Sequence, residues 1–253
     1  MKPYFNIGVL SFPAYIVFAS IGAFFAMLVI YNRVASIKDF TYKKFLILIT
    51  FLGLGVAIGS KTLFILTIIP DIIKNWSVLY AINRIINAGF VFYGGLIGAL
   101  IGSLLYSQKF KASILQITNT ICPSFPLFHA FGRLGCFFGG CCYGKVISYG
   151  FYHLESEPDI SRIPVQLYES IALIIITLII FLLDKKKYPL MPIYLLLYSI
   201  WRFIIEFYRG DKIRGIWWIF STSQWISIII FIFSLTILIK HHFLQMITDS
   251  NEE

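Results

Sequence analysis

Residues 164–183 read PVQLYESIALIIITLIIFLL. Beyond Glu169 the run carries no charge, and ~20 helical residues at about 1.5 Å each cross the ~30 Å hydrocarbon core of a bilayer. A stretch this long and this apolar reads as a transmembrane helix. Its opening turn is different. Pro164 suits the first turn of a helix, and Gln166, Glu169 and Ser170 share a face by i, i+3 and i+4 spacing. Such a face is either a simple cap or the polar wall of a site.

Similar runs occur at roughly 13–32, 45–69, 87–107, 113–135, 189–208 and 217–239. With 164–183 they predict an all-α, polytopic integral membrane protein of seven transmembrane helices, one membrane domain over 1–253. The run 113–135 is the least regular, holding Asn119, Pro123, Pro126, His129 and Arg133. The first run lacks a small-residue cleavage pattern and is followed by six more, so it is expected to stay as a span. Composition agrees. The chain is 58% hydrophobic and 13% charged, and its mean hydropathy is +0.83. Soluble domains are about a quarter charged, because a wet surface needs charge and a lipid-facing one does not. The net charge of +9 is scattered through the gaps between apolar runs, where Lys and Arg set membrane orientation. That pattern argues against a nucleic-acid partner.

With the N-terminus outside, the cytoplasmic segments hold Arg33, Lys38, Lys43, Lys44, Lys109, Lys111, Lys185, Lys186, Lys187 and Lys240. The outer ones hold Lys2, Lys74, Arg84, Lys145, Arg162, Arg209, Lys212 and Arg214. The cytoplasmic set is larger and denser, which predicts N-out and C-in. The polar connection 144–163 then lies outside.

Arg133, Glu169, Arg202 and Glu206 fall within or at the ends of apolar runs, and Lys61 is a further such charge. A charge at mid-bilayer costs ~2.5–3.5 kcal/mol on insertion scales, so such residues pair, face the interior or bind a ligand. Arg202 and Glu206 stand at i, i+4 and can pair. With Arg209 they form one stripe, which ends at Asp211, read as an ordinary charged helix terminus. Two arginines on separate helices, without a surplus of buried acid, point to an anionic ligand, because guanidinium forks match phosphate oxygens.

The segment Gly132–Gly144 carries five glycines, which loosen a helix. Such backbone is tolerated at membrane depth where it lines a cavity or packs closely. Three of the four cysteines, Cys136, Cys141 and Cys142, crowd the same segment. Their C-x4-C-C spacing matches no standard zinc pattern, and no Cys-x-x-Cys pair is present. Packing ranks first for them, a disulfide second and a reactive thiol third; Cys122 reads as a buried inert thiol. Gly94, Gly98 and Gly102 repeat every fourth residue, as in close helix contact. Tyr93 is either an interfacial anchor or a hydroxyl in a site. Ser221 and Gln224 form a small polar face entering the last span.

On these residues the chain resembles the prolipoprotein diacylglyceryl transferase family over nearly its whole length. The motifs, in order, are Tyr15 with Gly22, Tyr93-Gly94-Gly95-Leu96, Gly132-Arg133-Leu134-Gly135, Pro164-x-Gln166-Leu167-Tyr168-Glu169, Arg202-x3-Glu206-Phe-Tyr-Arg209 and Ser221-x2-Gln224. The resemblance implies a multi-pass enzyme of the bacterial plasma membrane with seven helices and an outer N-terminus. It would move the diacylglyceryl group of phosphatidylglycerol onto the lipobox cysteine thiol of a prolipoprotein, releasing glycerol 1-phosphate. Its partners would be phosphatidylglycerol, the prolipoprotein precursor and membrane lipids, and no cofactor or metal is expected. By position Arg133 and Arg202 match the family's essential arginines, with Glu206 and Tyr93 beside them as catalytic candidates. Tyr15, Gly94, Gly95, Gly135, Gln166, Glu169, Arg209 and Gln224 match substrate-binding positions.

Two departures stand out. Tyr93 replaces the family's usual histidine. In the signature Gly-Arg-x-Gly-Asn-Phe-x-Asn-x-Glu, Cys136, Gly139 and Cys141 replace the two asparagines and the glutamate. The base that helps the acceptor thiol is then Tyr93, Glu206 or the thiol's own ionisation beside the arginines. A related transferase with another acceptor, a non-enzymatic lipid-binding membrane protein and a thiol-redox enzyme are the other readings. The charge distribution predicts that a thiol placed at Ser156 is labelled by an impermeant reagent from outside and one at Lys186 is not; the reverse pattern would overturn the N-out reading.

Overall fold

The computed structural model describes residues 3–7, 10–35, 41–74, 77, 79–80, 82–83, 92–184, 188–210 and 216–250. Lys2, Lys38, Arg84, Lys185, Lys186, Lys187, Asp211, Lys212 and Arg214, which enter the readings above, lie outside this set. So do residues 87–91 of the third expected span and the side chain of Tyr93.

The described chain is mostly helical. Eight α-helices run in the order α1 Ala14–Ala35, α2 Tyr42–Lys74, α3 Phe92–Phe110, α4 Ile114–Ile121, α5 Ser124–Phe138, α6 Val165–Asp184, α7 Leu190–Ile205 and α8 Thr222–Ser250. Among the described residues five segments are long and apolar enough to cross a bilayer: Ala14–Val34, Tyr42–Ile69, Val165–Asp184, Leu190–Tyr208 and Thr222–His241. Large apolar side chains such as Phe24, Leu54, Leu178 and Phe233 stay exposed on them, as a lipid-facing surface requires. The chain is therefore an all-α integral membrane protein.

The run 113–135 is not one helix. It divides into α4 and α5 around Cys122 and Pro123. Pro123 has no N–H to continue an α-helical ladder. The new helix opens with the Phe125 N–H donating to Cys122 O at 3.1 Å, and Ser124 Oγ donates to Ile121 O at 2.5 Å. At 15 residues, α5 is only ~22 Å long and cannot cross the core alone.

Three short antiparallel pairs interrupt the helices: β1 (Tyr4–Ile7) with β2 (Leu10–Pro13), β3 (His153–Leu154) with β4 (Glu157–Ser161), and β5 (Ile216–Trp217) with β6 (Phe220–Ser221). The hydrophobic pattern gives no sign of them. The β3–β4 hairpin belongs to the polar connection 144–163, where Arg162 pairs with Glu157 and stacks on the Tyr143 ring at 4.4 Å.

The chain forms two compact units, one of 1–30 with 121–253 and one of 31–120. In the unit 31–120, α2 and α3 meet backbone to backbone. A Cβ on Gly98 would come within 2.6 Å of the Gly55 carbonyl carbon, and one on Gly94 within 2.8 Å of Leu63 Cβ. This is packing through small residues, in which dispersion replaces a hydrophobic drive that lipid does not supply. In the same unit Arg33 donates to the carbonyls of Thr120 (2.8 Å) and Asn119 (3.0 Å), satisfying acceptors in the last turn of α4. In the larger unit, α1 packs on α5. A Cβ at Gly22 would lie 2.7 Å from Phe131 Cβ, and one at Gly135 would lie 3.1 Å from Tyr15 Cα.

The helix contact yields a paired test in thermal unfolding of the detergent-purified protein. Gly98→Ala should lower stability by about 1–3 kcal/mol through overpacking. Gly53→Ala, with open space around its Cα, should not. Equal effects of the two would rule out the backbone contact.

Candidate active site

Glu169 lies in the second turn of α6 and is fully buried. Three guanidiniums surround it. Arg133 Nε is 3.2 Å from Oε2, Arg202 Nη1 is 3.5 Å from Oε1, and Arg209 Nη1 is 3.7 Å from Oε2. They come from α5, from the last turn of α7 and from the residue after the 3-10 turn Glu206–Tyr208. Arg202 also pairs through Nη2 with Glu206 Oε2 at 2.7 Å and donates to Ser223 Oγ at 3.2 Å. Ser221 Oγ donates to Glu206 Oε1 at 2.9 Å. Three guanidiniums thus share two carboxylates, leaving one positive charge in this cluster among the described residues.

The helix α7 ends at Ile205, so Arg202, Glu206 and Arg209 do not share a continuous α-helical stripe. The 3-10 turn and the extended backbone at Arg209 still bring both arginines to Glu169. The i, i+4 pairing of Arg202 with Glu206 is present.

Arg133 is held by its Nε, which also donates to His129 Nε2 at 3.3 Å. Its terminal Nη atoms make no hydrogen bond or ion pair among the described residues. A guanidinium fixed at one nitrogen, with its fork left over, can grip an oxyanion in bidentate fashion. His129 is buried against the edge of the Tyr198 ring, centroid to centroid 5.0 Å. Sequence reasoning gives His129 no place here; its i, i+4 spacing to Arg133 is the signal that could have found it.

Gln166 is buried. Its amide donates to Cys141 O at 2.7 Å and to the Tyr152 hydroxyl at 2.8 Å. Tyr152 stacks on Phe137 at 5.0 Å, and burial pushes its hydroxyl up to about 12. Gln166 therefore braces the cysteine turn. The turn is also tied from the other side: Gly144 N donates to Ile163 O at 3.1 Å, Lys145 N to Tyr208 O at 2.9 Å, and Gly210 N to Tyr143 O at 3.0 Å. No disulfide joins any of the four cysteines.

Ser221 and Gln224 form a reciprocal capping box at the start of α8. The Ser221 N–H donates to Gln224 Oε1 at 2.9 Å, and the Gln224 N–H donates to Ser221 Oγ at 3.2 Å. The pattern Ser-x-x-Gln before an apolar run is the sequence sign of that box. Gln224 thus serves the helix start, while Ser221 links it to Glu206. Tyr15 sits on the α5 face of α1 through Gly135. Tyr93, Gly94 and Gly95 belong to the unit 31–120, where Gly94 packs on α2 and a Cβ at Gly95 would meet Ser60 Oγ at 2.8 Å.

Fold and site together define a polytopic helical membrane protein with a buried arginine–glutamate cluster. Comparison with known proteins narrows the class. The family model for prolipoprotein diacylglyceryl transferase matches residues 2–240. A phosphatidylglycerol–prolipoprotein diacylglyceryl transferase of Clostridium tetani is 34% identical over 195 residues, covering 72% of this chain and 76% of the relative. Clostridium perfringens has one, numbered 2, that is 34% identical over 183 residues, covering 69% and 70%. A Rickettsia felis protein of the same name is 29% identical over 209 residues, covering 79% of each. The chain belongs to the prolipoprotein diacylglyceryl transferase family.

Glu169→Gln would strand Arg133 and Arg202 without the carboxylate they share. Breaking a buried ionic group costs about 3–5 kcal/mol, so thermal unfolding in detergent should show a large loss. A variant as stable as the parent would show that the arginines do not depend on this carboxylate.

Proposed function

We propose that the chain transfers the diacylglyceryl group of phosphatidylglycerol to the cysteine thiol of a prolipoprotein. The observation that carries this reading is the Arg133 fork, open at Nη and held at Nε beside Glu169 and Arg202. A lipid phosphodiester is an anion that a bidentate fork takes up. Arg133 and Arg202 would hold the phosphate, with Arg209 adding charge. Glu169 and Glu206 would keep the guanidiniums oriented before the lipid arrives. In the reaction the acceptor sulfur attacks the glycerol carbon, a C–S bond forms, and the C–O bond to phosphate breaks. Glycerol 1-phosphate leaves with the electron pair, and positioned guanidiniums stabilise the charge it gains.

The remaining residues take supporting parts in this reading. Gln166 braces the loop at the site mouth, and Gln224 caps the helix that carries Ser223. Tyr15 and Gly135 form one wall through their contact. Tyr93, Gly94 and Gly95 keep the parts that the family resemblance gives them. Seven spans in a single membrane domain, N-terminus outside, would place this mouth on the outer face, where a secreted precursor presents its cysteine. The Lys and Arg distribution supports that orientation.

The direct test supplies labelled phosphatidylglycerol and a lipobox peptide to the detergent-purified protein and follows label on the peptide thiol. Arg202→Lys keeps the charge but loses the fork. Turnover should fall by at least about 100-fold, the usual cost of one oriented donor at developing charge. Near-parental turnover in that variant would remove the clamp from the mechanism.

A further inference from the structure

The transfer proposed above needs an activated thiol, and the arginine cluster activates only the leaving group. A second cluster lies beside it. The sulfurs of Cys136, Cys141 and Cys142 all lie within 4.8 Å of one another. The chain reaches this arrangement by a tight reversal after α5: Cys141 N donates to Cys136 O at 3.1 Å, Gly140 has φ +67°, and Cys142 has φ +59°. A left-handed conformation is ordinary for glycine and uncommon for cysteine, and such positions concentrate where function holds the backbone. The reversal is braced by Gln166 through the Cys141 carbonyl, an outer-layer hydrogen bond of the kind that orients metal ligands.

We propose that Cys136, Cys141 and Cys142 form a three-thiolate site for a zinc-class divalent cation whose open fourth position takes the acceptor thiol. Zinc–thiolate bonds of about 2.3 Å bring sulfurs to roughly 3.8–4 Å of each other, a small contraction of the observed group. Among the described residues no fourth histidine, cysteine or carboxylate joins the three. Closed four-ligand sets mark structural zinc, and three protein ligands plus an open position mark a reactive one. Access fits. Cys136 is buried at the base of the turn, whereas Cys141 is exposed at its rim.

The role rests on the transferase reading. An exogenous thiol that binds the cation gives up its proton to solvent and stays bound as thiolate, because coordination deprotonates a thiol at neutral pH. Its sulfur then attacks the glycerol carbon as the phosphate leaves, so the cation does the work that Tyr93, in place of a histidine, would otherwise have to do. No oxidant or further reactant is needed.

The test uses full-length protein in detergent, dialysed and titrated with Zn(II) and Co(II). Expected are about one tightly held metal per chain, a thiolate-to-cobalt charge-transfer band, and zinc X-ray absorption fitting three sulfurs at ~2.3 Å. Cys136→Ser, Cys141→Ser and Cys142→Ser should each weaken binding, and Cys122→Ser should not. Adding N-acetylcysteine methyl ester should shift the cobalt d–d bands as the thiol enters the fourth position. No charge-transfer band, a disulfide by thiol count, or metal retained in a triple serine variant would overturn the site. Metal bound without a shift on adding thiol would overturn its open position. Where the serine variants do not fold, X-ray absorption on the parent decides. Diacylglyceryl transfer measured with and without metal separates the two readings: transfer by metal-free protein sinks this one alone, and metal binding with no transfer sinks the transferase reading while the three-thiolate site stands.

Discussion

The carboxylate of Glu169, enclosed in protein near the end of a membrane helix, is the constraint to which the larger unit answers. A lone carboxylate there would be costly. It is tolerated because guanidiniums from three separate segments close on it. That requirement sets where α5, the end of α7 and the strand-like Arg209 must meet the first turns of α6. The loops that connect them are then pinned as well: the cysteine turn by Gln166, and the start of α8 by Ser221 on Glu206. A polar knot of this kind is as much the core of the unit as its aliphatic contacts, and it orients its members before any ligand arrives.

In the proposed reaction the two clusters would divide the chemistry of a displacement between them. The arginines would face the group that departs with negative charge. The cysteines, at the end of α5 and in the turn after it, would receive the incoming sulfur. Arg133 and the three cysteines belong to the run Gly132–Gly144, so a single stretch of chain links the two clusters.

Much of this is legible in the amino-acid order, and unevenly so. Apolar run length names the five long spans, since bilayer thickness dictates it. Buried charges name Arg133, Arg202, Glu169 and Glu206, since lipid makes such residues conspicuous. The break at Cys122–Pro123 is not legible, because a proline can sit within a membrane helix, and whether it kinks or ends one depends on its tertiary neighbours. The part taken by His129 is hidden for another reason: one histidine in an apolar run carries little signal until its i, i+4 partner is known to be the site arginine. The short hairpins leave no trace, as two-residue strands have no period to read. The meeting of three sulfurs is hidden too. C-x4-C-C becomes a cluster only through left-handed backbone at Gly140 and Cys142, which spacing alone does not encode.

Every charge of the cluster lies near a helix end. Arg133 is five residues from the end of α5, Glu169 four residues into α6, and Arg202 three residues before the end of α7, with Glu206 and Arg209 just beyond. This bears on biogenesis. For α6 and α7, whose charges lie near their ends, a nascent chain can hand the span to the bilayer with the charge near the headgroups, where insertion costs less. The ion pairs can then form by lateral docking of helices already in place, with no unpaired charge carried through the lipid.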